Sequence, residues 1–310
     1  MRKLTYAIAL STLLLAGCSQ DEGIMENKGE LVTLNYKVSL GDGTQSRTGE
    51  SELAVNKLLC VIFESDTGIE QKREIVDVTN GSATYSPKLF NNIKYKIVFW
   101  AYYLDSDNNS CFDLSDMKAV RVNMSNYDKG NFEENKFKDA YSGIHEIELK
   151  ENKQTPAITL TRPFGKINVY TSKADYDAAV ALGSTPSTGI LNIGSCNKTF
   201  NAYTQEWNNT NDTNIELNTK VSAEVITYQG QDCYLLANEY VFANGTVSTT
   251  NLKVKDNNSK EIYSSTIANM PLGKNMRTNL FNSTLLTGGG VTYTIIIETG
   301  FSDIEKEENI

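Results

Sequence analysis

Short runs in which apolar and polar residues alternate recur along this chain, and a two-residue period of this kind leaves few folds open to it. The clearest run is residues 30–40, where polar residues separate Val32, Leu34, Tyr36, Val38 and Leu40. Such alternation places one face of a β-strand against a core and the other toward solvent. Similar runs, rich in Val, Ile, Thr, Tyr and Phe, lie between clusters of Gly, Asn and Asp. The sequence therefore predicts an all-β protein.

The remaining pattern predicts two antiparallel β-sandwiches with few short helices. Residues 58–63 and 94–104 are almost continuously apolar, which is typical of central strands covered on both faces. Further strands are expected at residues 82–86, 144–149, 157–160, 189–193, 220–227, 233–237, 251–254 and 291–301. A helix is expected over residues 174–182, ended by Gly183. We place a domain boundary after Pro156, which gives domains at 30–156 and 157–310.

Charge and histidine content narrow the possible functions. The chain has 29 Lys and Arg against 38 Asp and Glu, and its net charge of −9 repels a nucleic-acid backbone. His145 is its only histidine, so the side chain that most often serves as a general base or metal ligand is scarce. No Gly-x-Ser-x-Gly, P-loop or His-Glu-x-x-His pattern occurs. We therefore expect no enzyme, no cofactor and no nucleic-acid partner.

The first 17 residues have the form of an export signal. Arg2 and Lys3 precede a short apolar stretch, which is too short for a stable membrane span. Leu15-Ala16-Gly17-Cys18 resembles a bacterial lipobox, which implies cleavage before Cys18 and acylation of this residue. Residues 18–29 would then form a lipidated tether. The alternative is an ordinary signal peptide with a chance cysteine.

Four further cysteines, Cys60, Cys111, Cys196 and Cys233, would enter a compartment that permits disulfides. They allow three complete pairings, and the sequence does not choose among them. Cys60 lies in an apolar run, where the role of a small buried hydrophobe is favoured.

Several segments, in their order along the chain, resemble Bacteroidetes fimbrillins, the type V pilins of the FimA or Mfa family. They are the lipobox, Ser46-Arg47-Thr48 after the first strand, Ile97-Val98-Phe99-Trp100-Ala101, Arg162-Pro163-Phe164-Gly165-Lys166-Ile167, and a C-terminal strand after Arg277-Thr278-Asn279. The resemblance implies two transthyretin-like β-sandwich domains and subunits that polymerise into fimbriae on the outer membrane. This chain is shorter than a typical shaft subunit, so its place as shaft, tip or anchor stays open.

In that family an arginine-specific protease matures the subunit, and Arg47 is the matching position here. Arg47 is the only basic residue in the polar link 41–50, and an exposed flexible link is where proteases cut. Cleavage there would release the strand that carries Val32, Leu34, Tyr36, Val38 and Leu40, and would separate the subunit from Cys18. The alternative is an ordinary arginine in a surface loop.

The resemblance also implies a donor strand that fills the groove of a neighbouring subunit. The candidate carries Val291, Tyr293, Ile295 and Ile297 on one face, after three glycines at 288–290 that could serve as a hinge. The alternative is a strand that pairs within its own domain. The charged tail 302–310 is expected to fray.

Three other features bear on possible binding sites. Asp105, Asp107, Asn109, Asp113 and Asp116 occupy positions 1, 3, 5, 9 and 12 of a calcium-type loop. Ser110 stands where such loops have glycine, and Asp116 where they have glutamate, so a polar loop is favoured over a calcium site. His145 is interpreted as an ordinary strand residue. Trp100 is assigned to the core, whereas Trp207 lies in a polar loop and could stack on a sugar.

The sequence thus favours a surface lipoprotein precursor of a fimbrial subunit. It would be lipid-anchored to the outer membrane before processing and would join a cell-surface fimbrium after it. Its expected partners are other pilin subunits, with a host or bacterial surface ligand as a further candidate. The alternative is a stand-alone lipid-anchored module that binds glycans or a partner protein.

Overall fold

The computed structural model describes residues 29–41, 54–127, 135–149, 157–197, 199–207, 213–242, 245–288, 292–299 and 305–309. Within these ranges the chain forms antiparallel β-sheets with few short helices, which confirms the predicted fold class. No helix in these ranges is long and apolar enough to cross a membrane.

The first half of the chain contains eleven strands and two single-turn helices. The strands are β1 (Leu31–Thr33), β2 (Tyr36–Leu40), β3 (Lys57–Glu64), β4 (Glu70–Asp77), β5 (Ser82–Tyr85), β6 (Lys88–Phe90), β7 (Lys94–Tyr102), β8 (Phe112–Asp113), β9 (Val120–Val122), β10 (Ala140–Glu148) and β11 (Ile158–Leu160). Helix α1 spans Met124–Tyr127, and a 3-10 helix spans Asn135–Lys138.

The second half contains twelve strands and one longer helix. The strands are β12 (Gly165–Ser172), β13 (Pro186–Cys196), β14 (Thr199–Asn201), β15 (Glu206–Trp207), β16 (Thr213–Lys220), β17 (Ile226–Tyr228), β18 (Gln231–Val241), β19 (Gly245–Asp256), β20 (Glu261–Leu272), β21 (Met276–Asn282), β22 (Thr294–Thr299) and β23 (Glu305–Asn309). Helix α2 spans Lys173–Ala181.

The central sheet of the first half, in the order β10-β7-β3-β4, is covered on both faces. Along β3, Leu58, Cys60 and Ile62 face one core, while Leu59 and Val61 face another. Strand β7 alternates between the two cores in the same way. Burial on both faces explains why these two strands are continuously apolar, as the sequence predicted.

The second half forms two larger sheets, in the orders β17-β18-β12-β21-β22-β23 and β16-β13-β19-β20. Most neighbours are antiparallel, but β12 and β21 run parallel to each other. Helix α2 begins where the predicted helix does, within one residue. The Ser172 side chain caps it by accepting a 3.1 Å hydrogen bond from the Asp175 N–H. Gly183, with φ of +81°, follows its end.

A small sheet links the two halves, because its order β15-β14-β9-β8 combines strands from both. It covers the second face of the central sheet, where Phe112 and Phe200 pack on Trp100. A buried ion pair also crosses between the halves: Lys138 Nζ lies 3.2 Å from a Glu239 carboxylate oxygen. One hydrophobic core therefore extends from the first half into the second.

The structure differs from the predicted strands in several details. Residues 221–225, predicted as part of a strand, connect β16 to β17. Strands β4 and β20 were not predicted, because both are sheet edges with mostly polar, partly exposed side chains. The tail, expected to fray, includes β23, which pairs with β22. The four cysteines Cys60, Cys111, Cys196 and Cys233 are all buried.

Candidate functional site

The predicted first strand lies inside the first half of the protein, where β2 occupies the middle of a three-stranded sheet. It runs parallel to β11 on one side and antiparallel to β5 on the other. Val38, for example, is opposite Ile158 in β11 and Ala83 in β5. Both neighbours come later in the chain, so the strand is inserted between segments that follow it.

The predicted strand is divided into two short strands. Val32, half-buried, lies in β1, which pairs with β6 in a separate two-stranded sheet. The break falls at Leu34, whose N–H donates to the Pro87 carbonyl. An Asn35 side-chain oxygen accepts a 2.9 Å bond from the Ser86 hydroxyl. The sequence period continues through this break because Leu34 keeps the same inward orientation.

Four inward side chains of this segment are almost completely buried. The exposed fractions are 1% for Leu34, 0% for Tyr36, 2% for Val38 and 7% for Leu40. They fill a groove lined by the central sheet and the flanking strands, with Ile97, Phe99, Tyr85, Tyr141 and Leu160 among its residues. Removing the segment would leave this apolar groove open and expose unpaired backbone groups of β5 and β11.

Tyr36 makes the most specific contacts in the groove. Its ring packs edge-on against Phe99, with centroids 5.5 Å apart, and against His145 at 5.6 Å. Its hydroxyl lies 3.0 Å from His145 Nδ1. Burial raises the pKa of the Tyr36 hydroxyl and lowers the pKa of His145, so both groups are neutral at pH 7.

The role of His145 in this contact was not predicted. The sequence analysis treated it as an ordinary strand residue, and it does lie in β10 opposite Ile97. Its partner Tyr36 is 109 residues away in the sequence. A contact over that separation leaves no local pattern, so only the fold could identify it.

The backbone is closely packed at Gly41, where the chain leaves β2. The Gly41 N–H donates a 2.8 Å bond to the Leu160 carbonyl, and a Cβ at position 41 would lie 2.8 Å from that oxygen. A larger residue here would push β2 away from β11. Arg47, the predicted cleavage position, and Cys18, the predicted lipidation site, both lie outside the described residues.

The candidate donor strand is paired within its own half of the chain. Strand β22 lies between β21 and β23, with Ile295 and Ile297 buried. Tyr293, just before it, is also buried, and its hydroxyl lies 2.9 Å from the Tyr263 hydroxyl. Val291 lies outside the described residues. This arrangement is the alternative that the sequence analysis left open for this strand.

A buried carboxylate fixes the segment that leads to this strand. Asp175 accepts hydrogen bonds from the backbone N–H groups of Leu286 and Thr287, at 2.6 and 3.0 Å. Gly288 follows with φ of +88°, a conformation that glycine adopts without strain. The chain is therefore held up to Thr287.

The carboxylates of the calcium-type loop accept hydrogen bonds from nearby groups of the same segment. Asp105 accepts bonds from the N–H groups of Asp107 and Asn109, at 2.9 and 2.7 Å. Asp113 accepts from Ser115, and Asp116 accepts from the Lys118 N–H. Among the described residues, no group of three or more His, Cys, Asp or Glu side chains is placed to hold a metal ion. These contacts are those of a polar loop.

The two tryptophans both have packing roles. Trp100 is fully buried in the central sheet. Trp207, the predicted sugar-stacking residue, is half-buried in β15, and its ring packs edge-on against Phe200 with centroids 5.9 Å apart. Its indole nitrogen is buried.

Comparison with known proteins supports the fold. A candidate adhesin from Bacteroides thetaiotaomicron superposes with a TM-score of 0.53 at 12% identity, covering 86% of this chain and 97% of that one. A candidate cell adhesion protein from Bacteroides ovatus gives a TM-score of 0.52 at 11% identity, covering 89% and 100%. The tip fimbrial protein Mfa3 from Porphyromonas gingivalis gives 0.47 at 10% identity, covering 90% and 99%, which is too loose to add to the assignment.

Identities this low establish a shared fold alone. No curated protein sequence matches the chain. A family model does match, over residues 26–309, and its description is a family of unknown function. The chain belongs to this family, DUF6562.

Proposed function

We propose that this protein is a cell-surface adhesion protein and the precursor of a fimbrial subunit. In this proposal, proteolysis removes the first strand, and a strand from another subunit takes its place. The observation that carries the proposal is the position of β2, which is paired on both sides and buried, yet precedes in the sequence both of the strands with which it pairs. After a cut that follows β2, this strand can be removed while the segments that line the groove stay connected to one another.

The groove is apolar enough to hold a replacement strand firmly. Four side chains of the segment are buried, and burial contributes roughly 1.5–3 kcal/mol for each apolar side chain, so refilling the groove releases on the order of 6–12 kcal/mol before entropic costs. Main-chain hydrogen bonds to β5 and β11 would fix the register of the replacement strand. A contact of this kind between two subunits would not dissociate in mild detergent.

The link after β2 supplies the place for cleavage. Gly41 ends the described part of the segment, and Arg47 follows six residues later. Cleavage after Arg47 would remove Val32, Leu34, Tyr36, Val38 and Leu40 together with the lipid on Cys18. The candidate donor is the strand that carries Val291, Tyr293, Ile295 and Ile297, which would have to leave its place beside β21.

The proposal divides the chain into a signal peptide at 1–17, a tether at 18–29, and domains at 30–156 and 157–310. Each of the larger sheets uses strands of one half only, but β11 (Ile158–Leu160) pairs with β2 and packs in the core of the first half, although a boundary after Pro156 assigns it to the second domain. The small sheet and the shared core hold the two halves together. An outer-membrane location before processing and a fimbrial one after it complete the proposal.

Adhesion is supported by the structural likeness to candidate adhesins and cell adhesion proteins of Bacteroides species. Pilin partners and a surface ligand belong to the same proposal. We propose no catalytic activity, because the contacts at the groove serve packing and hydrogen bonding.

The test follows the chain through maturation. The full lipidated chain is treated with an arginine-specific protease, and the product is examined by N-terminal sequencing and by SDS gels without boiling. We expect a new N-terminus at Thr48 and a ladder of polymers. The matched control is Arg47→Lys, which keeps the charge but resists the protease, and should give neither.

The rival function, a stand-alone lipid-anchored binding module for glycans or a partner protein, is favoured by the pairing of β22 within its own chain. It predicts a single acylated band that begins at Cys18. Cleavage at Arg47 without a ladder would refute strand exchange while leaving maturation intact.

A further inference from the structure

A polar cleft lies on the small sheet that links the two halves. It is an open cleft of about 580 Å³ bordered by β8, β9, the turn at 105–110 and helix α1. Ligand pockets in proteins measure roughly 300–1,000 Å³. Neither the candidate cleavage position nor the candidate donor strand lines it.

We propose that this cleft binds an uncharged sugar unit of a surface glycan. The inference deepens the proposed function, since it names what the adhesion protein would adhere to, but it does not require strand exchange. The cleft combines hydrogen-bond donors, hydrogen-bond acceptors and an apolar patch within one concave surface.

The polar groups are complementary to hydroxyls, which both donate and accept. Asn126 uses its amide nitrogen to hold the Ser110 carbonyl at 3.0 Å, which leaves its oxygen as an acceptor. Asn123 uses its oxygen to accept from Ser125 at 2.6 Å, which leaves its amide nitrogen as a donor. Asn108 adds an exposed amide at the rim. Amides that present both roles suit a polyol better than a simple anion.

The charged groups of the cleft balance each other. Arg121 in β9 is opposite Asp113 in β8, and both are exposed. Hydrogen bonds from Ser115 lower the pKa of Asp113, and the charge of Arg121 adds to the effect, so the carboxylate is ionised at neutral pH. A carboxylate beside a guanidinium can bind two adjacent hydroxyls: the carboxylate accepts a hydrogen bond from one, and the guanidinium donates a hydrogen bond to the other. The balance of one charge of each sign favours a neutral ligand over an acidic one.

An apolar side chain completes the cleft. Met124 is 42% exposed at its edge, so its side chain is accessible to a ligand in the cleft. The thioether side chain is flexible and suits contacts with varied ligand surfaces, including the C–H face of a sugar ring.

The cleft is independent of the removable strand. Phe112 in β8 packs on Trp100, which faces the opposite side of the central sheet from the groove that holds Tyr36. Loss of β2 would therefore leave the cleft in place, so a mature subunit would keep its ligand site.

The test measures sugar binding by saturation-transfer NMR on the full Arg47→Lys chain, which stays unpolymerised. The probes are the methyl glycosides of glucose, galactose, mannose and N-acetylglucosamine, with methyl glucuronide as the acidic counterpart. We expect at least one neutral glycoside to bind with millimolar affinity. Arg121→Ala should weaken that binding about tenfold or more, because it removes a charged donor, while Lys220→Ala, an exposed cation on β16, should not change it.

Three outcomes would overturn the inference. No binding of any neutral glycoside excludes the ligand class. Binding that is unchanged in Arg121→Ala places the site elsewhere, and a loss of binding supports the inference when circular dichroism shows that this variant keeps its fold. Binding of methyl glucuronide that exceeds every neutral glycoside tenfold would identify an acidic-ligand site instead. Because the chain cannot be cut at position 47, none of these outcomes depends on polymerisation.

Discussion

The hydroxyl of Tyr36 lies 3.0 Å from Nδ1 of His145, and this contact joins strand β2 to the opposite sheet. Tyr36 belongs to the segment that maturation would remove, whereas His145 lies in β10, which would remain. The only histidine of the chain thus makes a side-chain hydrogen bond with the segment. A replacement strand would need a polar group at the same position to satisfy His145.

We expect Tyr36→Phe to lower the free energy of unfolding by about 0.5–1.5 kcal/mol, because it removes the hydrogen bond and keeps the ring. His145→Phe should have a similar effect. A double-mutant cycle by urea unfolding isolates the interaction, and the double variant should lose less than the sum of the single losses. Strict additivity would show that the hydroxyl and the imidazole do not interact.

The same pair predicts a pH dependence. Burial lowers the pKa of His145 below its ordinary value of 6.5, so the folded chain binds this proton more weakly than the unfolded chain. The stabilising contribution of neutral His145 is complete above pH 6.5 and is lost as the pH falls through the lower folded pKa. Between pH 7.5 and 5, the free energy of unfolding should fall more steeply in the parent chain than in His145→Phe. This variant is the control because it keeps the same carboxylates. Parallel profiles would contradict the prediction.

Much of this region could be predicted from the sequence, because the relevant signals are local. The alternation at Leu34, Tyr36, Val38 and Leu40 indicates which side chains point inward, and the structure buries all four. The continuous apolar run of β3 likewise indicates burial on both faces. Local periodicity reports the environment of a strand directly.

Other features depend on tertiary contacts and could not be predicted. The parallel neighbour of β2 is β11, which begins 118 residues after the strand's last residue. Strand β4 has mostly polar and partly exposed side chains because it is a sheet edge, so it lacks an apolar period. The polar cleft brings together Asp113 and Arg121 through a two-residue strand, β8, which is too short to leave a pattern.

The inward face of β2 should be sensitive to truncation and its outward face tolerant. Val38→Ala removes two buried methyl groups and should cost about 1–3 kcal/mol of unfolding free energy. Lys37→Ala changes an exposed side chain of the same strand and should stay within about 0.5 kcal/mol of the parent. Urea unfolding of both variants measures the difference. Equal effects would mean that β2 is not seated in the groove.

The ion pair between Lys138 and Glu239 should matter more than a surface pair of the same type. Both side chains are nearly inaccessible, at 2% and 0%, and the carboxylate also accepts a 2.7 Å bond from the Thr219 hydroxyl. Lys138→Met removes one partner and leaves the other charge buried, so we expect a loss of about 3–5 kcal/mol. Lys253→Met breaks the pair with Glu261, where both groups are nearly half exposed, and should cost at most about 1 kcal/mol.

Chemical unfolding of the two Lys→Met variants compares the pairs directly, and the double variant Lys138→Met, Glu239→Gln separates the causes. Replacing the glutamate with a neutral isostere removes the stranded charge, so the double variant should recover part of the stability lost in Lys138→Met. That recovery requires the carboxylate to be charged in the folded chain. If the double variant were no more stable than the single one, loss of packing by the lysine side chain would account for the effect.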